Sequence, residues 1–275
     1  MLGKLMKYEL RSTAKIYLPL MTAVVAMLGG FQLIFLVVRM LLKDAPNPLV
    51  SILFGLFSVL SAFALLAMLV LLVLVPVQRF YKNLLGDEGY LMFTLPATPA
   101  QQICSKLFSG VIWAAAGVVV CVLAVLLFCW NLPDVMDLSS VAASFQSETG
   151  LSFYLVLLLF SVFLLFAFVN TWLHFYLCMA IGGQWPQNRL LASAAAYLIL
   201  NAALQILLFV GLIAAALVFY TLDSGSFRGL QTLAQQSPMG FFFGILGVNA
   251  ALMAVLDLVY FFATRWLLGK RLNLA

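Results

Sequence analysis

Ionisable side chains along this chain fall in clusters. Between them lie six long stretches without Asp, Glu, Lys or Arg: residues 16–38, 45–78, 107–133, 149–188, 190–222 and 229–256. Each exceeds the ~20 residues an α-helix needs to cross ~30 Å of hydrocarbon. None shows the two-residue alternation of a barrel strand, and unpaired backbone amides are prohibitively costly in lipid, so the stretches predict helices. The expected fold is an all-α polytopic membrane protein with six transmembrane helices in one domain spanning residues 1–275.

Composition sharpens that reading. Apolar residues make up 65% of the chain and charged residues 8%, and the mean hydropathy is +1.15, which excludes a water-soluble fold. With the N-terminus placed in the cytosol, eleven basic residues fall inside and three, Arg39, Lys43 and Arg228, fall outside. By the positive-inside rule both termini are then cytosolic. The net charge of +5 follows from this topology and from contact with anionic membrane lipid, and gives no support to nucleic-acid binding. The first apolar run is too long for a cleavable signal and lacks a clear small-residue cleavage pattern, so it is expected to remain as an anchor. Cys104, Cys121, Cys129 and Cys178 lie in or beside apolar runs without metal-type spacing, so neither disulfides nor a metal site is expected.

Residues 1–16 carry a second periodicity. On a helical wheel Lys4, Lys7, Arg11 and Lys15 form one basic stripe, opposite Leu2, Leu5, Met6, Leu10 and Ile16. This predicts an interfacial amphipathic helix along the inner leaflet, serving as a lipid-surface anchor or as a protein contact. Glu9 falls within the apolar face, where a bare carboxylate is costly. A cation from the next charged cluster, Arg79 or Lys82, is its expected partner.

That cluster, residues 79–106, reads RFYKNLLGDEGYLMFTLPATPAQQICSK. Gly86 and Asp87 can turn the chain and cap a short helix through Tyr90 and Phe93 that stops before Pro96. A new helix then starts with Thr98 as N-cap, Pro99 at the first helical position and Gln101 reaching back. Such a short cytosolic helix, acidic at one end and aromatic along its length, suits docking into a groove on another protein. The same residues also suit an ordinary interfacial loop with Tyr90 and Phe93 among the headgroups.

The layout resembles the permease subunits of ABC-type exporters of the type 2 class. In these, an N-terminal interfacial helix precedes six spans and a coupling helix joins the second span to the third. The family's cytosolic pattern is matched by Glu88, Gly89, Pro96, Thr98 and Lys106, with the ten-residue interval from Pro to Lys retained, and KLMKYELRSTAK is similar to small bacterial members. Pro99 stands where many members carry a basic residue, and TLDSGSFRGLQTLAQQSPMG is brief where members have re-entrant helices. The resemblance implies a bacterial plasma-membrane subunit that couples a separate cytosolic ABC ATPase to substrate export and pairs as a homodimer or heterodimer with a second permease. It places ATPase coupling at Asp87, Glu88, Gly89, Tyr90, Phe93, Pro96, Thr98 and Lys106. ATP and Mg would belong to the partner, with no cofactor in this chain. The chain contains no GxxxxGK[ST] loop of its own.

Polar residues within the runs are the remaining candidates: Asn170 and His174 in the fourth, Asn201 and Gln205 in the fifth, Asn249 in the sixth and Asp257 at its edge. They either line a substrate path or proton-sensitive switch, or hold helices together, with Asp257 paired to His174 or to a cytosolic Arg. Gly240 and Gly244 have the spacing of close helix packing. An intramembrane enzyme is poorly supported, with one His and neither HExxH nor GxSxG. A non-transporting scaffold or sensor, or a secondary transporter, are the other classes of function.

Overall fold

The computed structural model describes residues 2–42, 48–85, 97–130, 142–143, 145–147, 150, 152–185, 187–221 and 238–270. The long helices are α1 (Leu2–Leu42), α2 (Pro48–Phe80), α3 (Pro99–Trp130), α4 (Phe153–Gly182), α5 (Arg189–Thr221) and α6 (Pro238–Lys270). All six are long and apolar enough to cross a membrane, and no strand occurs among the described residues. The chain is a multi-pass membrane protein.

Local chemistry marks where these helices start. Proline opens α2, α3 and α6, where its missing N–H costs nothing and its φ is already helical. The carbonyl of Ser152 accepts the Leu155 and Val156 amides ahead of α4, and that of Asn188 accepts the Ala192 amide ahead of α5. α2 does not stop cleanly at Phe80 but loosens into a π-helical turn, Tyr81–Leu85, a geometry that recurs at functional positions.

One expectation changes. The N-terminal amphipathic segment does not form a helix of its own, because α1 runs unbroken for 41 residues with Pro19 inside it. At 1.5 Å per residue that is about 60 Å, twice the hydrocarbon thickness. No breaker separates residue 16 from the apolar run, and in lipid a break would leave amides without partners. The basic stripe is nevertheless real: Lys4, Lys7, Arg11 and Lys15 are all exposed, whereas Glu9, Thr13 and Tyr17 are buried.

By internal contacts the chain forms two units. The first comprises residues 1–79 and 100–168, the second residues 80–99 and 169–275. In the first, α1 runs antiparallel to α2, as shown by Phe31 stacked on Phe57 at 5.2 Å and by the Tyr17 hydroxyl facing the Leu71 carbonyl at 3.5 Å. α1 runs parallel to α3, with Tyr17 stacked on Trp113 at 5.2 Å. Tyr17, Met68, Leu72 and Ala114 are fully buried there. Gly117 lets α3 approach α2 so closely that a Cβ would lie 2.5 Å from Leu72 Cδ1.

In the second unit Phe80 stacks on Tyr176 with centroids 4.0 Å apart and planes 10° from parallel; both are fully buried, as is Trp172. α4 and α5 are antiparallel neighbours. Phe175 stacks on Tyr197 at 4.9 Å, and Gly182 lies where a Cβ would come within 2.6 Å of the Ser193 Cα. The contacts of α4 with α6 advance together along both helices, Asn170 to Asp257 and then His174 to Tyr260, so these two run parallel. Residues 205–218 of α5 are all exposed, as suits an apolar surface solvated by lipid. Gly244 and Gly247 meet no atom within 4 Å of a built Cβ, and among the glycines described the close approaches fall at Gly117 and Gly182 instead.

Candidate functional site

Buried polar side chains of the first unit gather around Glu9. Its side chain is 8% exposed and bridges two cations from different helices, Arg79 Nη2 on α2 at 3.1 Å and Lys106 Nζ on α3 at 2.6 Å. Of the two partners expected from sequence, Arg79 is the one found; Lys82 is exposed. Lys106 completes the cluster and, being 3% exposed, is directed to Glu9 rather than outward.

The helical period explains the convergence. Glu9, Thr13 and Tyr17 stand four residues apart on one face of α1, and Lys106, Ser109 and Trp113 follow a matching stripe on α3. Thr13 Oγ1 donates to the Glu9 carbonyl at 2.8 Å and accepts the Trp113 indole N–H at 2.8 Å. Ser109 Oγ lies 3.5 Å away. A cavity of about 10 Å³ is enclosed by Glu9, Thr13, Tyr17, Pro76, Arg79, Lys106, Ser109 and Gly110, the room of about one water. Glu9 thus joins α1 to α2 and α3 through charge, and these buried or half-buried charges are stabilised only while their partners remain in place. Sequence reasoning missed Thr13, Ser109 and Trp113, although the i+4 step from Glu9 to Thr13 and the i+3 and i+7 steps from Lys106 were visible.

The cluster bounds the segment singled out in the sequence. Arg79 stands at its start and Lys106 at its end, and the next residue after Arg79, Phe80, is the one stacked on Tyr176. Thr98 is exposed immediately before α3 starts at Pro99, the helix start read from its capping pattern. Asp87, Glu88, Gly89, Tyr90, Phe93 and Pro96, and the link at residues 222–237, lie outside the described residues.

The intramembrane polar residues separate into two groups. Asn170 Nδ2 donates to Asp257 Oδ1 at 2.9 Å, and among the described residues Asp257 forms no ion pair with His174 or an Arg. His174 packs edge-on against Tyr197 at 5.3 Å and Tyr260 at 5.2 Å. Asn201 is half-buried, while Gln205 and Asn249 are exposed and are not brought to this cluster. Among the described residues no group of His, Cys, Asp and Glu could hold a metal ion.

A second hollow, about 410 Å³, lies among Leu28, Phe31, Ser58, Val59, Ser61, Ala62, Leu65, Ala124 and Leu127. The two hydroxyls there are bound to their own helix, Ser58 to the Gly55 carbonyl and Ser61 to that of Phe57. Nothing polar remains to orient a ligand.

No family model, no curated protein and no solved structure matches this chain.

Proposed function

We propose that the chain is the membrane-spanning permease subunit of an ATP-driven ABC-type exporter, in which residues 79–106 receive the stroke of a separate cytosolic ATPase. The observation that carries this reading is the Glu9, Arg79 and Lys106 cluster. A segment that transmits force has to be fastened at its roots, and here both flanks are tied by charge to α1 at 3.1 and 2.6 Å. An ordinary interfacial loop has no need of a buried lysine and a half-buried arginine sharing one carboxylate, since such a cluster stabilises only by holding its geometry.

In this reading Asp87, Glu88, Tyr90 and Phe93 face the ATPase, and Gly89 and Pro96 shape the segment. Lys106 acts through Glu9 as a positioning residue. The partner binds ATP and Mg, its closure displaces the segment, and rigid helices carry the displacement into the membrane. A second permease copy, identical or related, completes the path. The basic stripe at Lys4, Lys7, Arg11 and Lys15 contacts anionic lipid.

The test is purification of the full chain from its native membrane with measurement of ATP hydrolysis. An associated hydrolytic subunit is expected, with activity altered by Glu88→Lys and by Tyr90→Ala while the chain remains folded. A folded chain with no nucleotide-hydrolysing partner favours a non-transporting scaffold or a secondary transporter instead.

A further inference from the structure

Asn249 is a polar side chain exposed on the surface of α6 within its membrane span. It stands 9 residues from Gly240 and 20 from Gly269, the ends of that span, or about 14 Å and 30 Å along the helix. A hydrocarbon layer of ~30 Å centred on the span therefore encloses it. Its amide offers two N–H donors and a carbonyl acceptor, and among the described residues no hydrogen bond reaches them. Lipid tails supply none either, so an amide left facing them is costly.

The residues around Asn249 repeat. Phe242, Asn249 and Leu256 are seven positions apart, as are Ile245, Leu252 and Val259, so the steps along α6 alternate between three and four residues. This is the a and d spacing of a left-handed coiled-coil seam, with Asn249 at an a position, where a single polar residue sets register and oligomer state. Within the chain the seam is open: Leu256 is half-buried and the other five residues are exposed. The contacts of α6 with α4, at Asp257 and Tyr260, fall outside it. The adjoining stripe through Val248, Val255 and Phe262 is also exposed, but it is wholly apolar and lipid satisfies it.

A second copy of this chain is the partner whose chemistry fits. Two copies inserted in the same direction, related by a two-fold axis along the membrane normal, place every residue and its counterpart at equal depth. The partner's Asn249 then arrives at the level where an amide is needed, and each amide can donate to the other's carbonyl. An unrelated helix would have to carry a polar group at that same level. We propose that α6 pairs with α6 of a second copy along this seam, its register set by reciprocal hydrogen bonds between the two Asn249 amides. The pairing goes beyond the exporter reading, in which the second permease is identical or related, and it rests on α6 alone. No ATPase enters its test, so the two can fail separately.

The test uses the full chain, tagged with a fluorophore at its N-terminus, in vesicles of phosphatidylcholine and phosphatidylglycerol over a range of dilutions, with subunits counted by stepwise photobleaching. Wild type should bleach in two steps at densities where Asn249→Leu bleaches in one, with association weakened about tenfold and largely restored in Asn249→Gln. Disulfide cross-linking, in a chain whose four cysteines are replaced by alanine, reads the same seam at other positions. Ile245→Cys and Leu252→Cys should cross-link between copies, whereas Gly247→Cys, on the opposite side of the helix and in open space, should not. A folded wild-type chain that stays single at every dilution overturns the proposal. So does a dimer that holds equally well in Asn249→Leu, or one that cross-links at Gly247→Cys in preference to the seam.

Discussion

Lys106 on α3 places its ammonium 2.6 Å from the carboxylate of Glu9 on α1, 97 positions earlier in the chain. Arg79 reaches the other carboxylate oxygen at 3.1 Å and is the more exposed of the two cations, at 20% against 3%. Water screens it more strongly. In a double-mutant cycle the Glu9 and Lys106 pair should therefore show a larger coupling than Glu9 and Arg79. Glu9→Gln alone should cost about 3 kcal/mol by removing the anion that both cations reach. Lys82→Met, on an exposed side chain, should cost less than Glu9→Gln. Thermal unfolding in lipid nanodiscs checks all three.

Phe80 and Tyr176, stacked at 4.0 Å and fully buried, fix the end of α2 where the π-helical turn begins. Phe80→Ala should lose about 3 kcal/mol, the usual cost of deleting a buried ring. Proteolysis of the folded protein should also become faster within residues 81–98, since the ring anchors the start of that segment. Unchanged cleavage would separate the stacking from the segment.

Glycine substitutions should divide by backbone proximity. A methyl at Gly182 would run into the Ser193 backbone, which cannot yield as a side chain does, so Gly182→Ala should lower the unfolding temperature. Gly244, with nothing within 4 Å, should tolerate alanine and gain up to about 1 kcal/mol from helix propensity. A loss of stability at Gly244 would indicate that another chain packs there.

Asn170→Leu removes the 2.9 Å hydrogen bond to Asp257 and should cost about 1 kcal/mol in the membrane. Gln205→Leu, at an exposed position outside this cluster, should leave unfolding unchanged. Equal losses at both positions would mean that the α4 and α6 pair is not the element that matters.

Much of this architecture was legible along the chain. Charge-free runs disclosed the helices because in hydrocarbon the backbone has no alternative partner, and Thr98 with Pro99 marked a helix start through local chemistry alone. Glu9 could be identified as needing a cation, since that requirement is a property of one residue on one face. Arg79, one of the two cations expected, is indeed bound to it, but the second cation was not legible. Lys82 lies close to Arg79 in sequence but is turned outward, whereas Lys106 is distant in sequence and close in space, which only tertiary packing decides. The same reason hid Asn170 as the partner of Asp257. Continuity of α1 was missed because a change from amphipathic to apolar pattern looks like a boundary, yet the helix runs on through it and through Pro19.

The account's central claim is that residues 79–106 present themselves to a cytosolic engine. Glu88→Cys, placed in a chain whose Cys104, Cys121, Cys129 and Cys178 are replaced by alanine, can be probed with a membrane-impermeant maleimide in right-side-out and inside-out vesicles. Labelling is expected only in inside-out vesicles, and should fall when the partner ATPase is bound. Labelling from the outer face, in a chain that remains folded, would contradict the account.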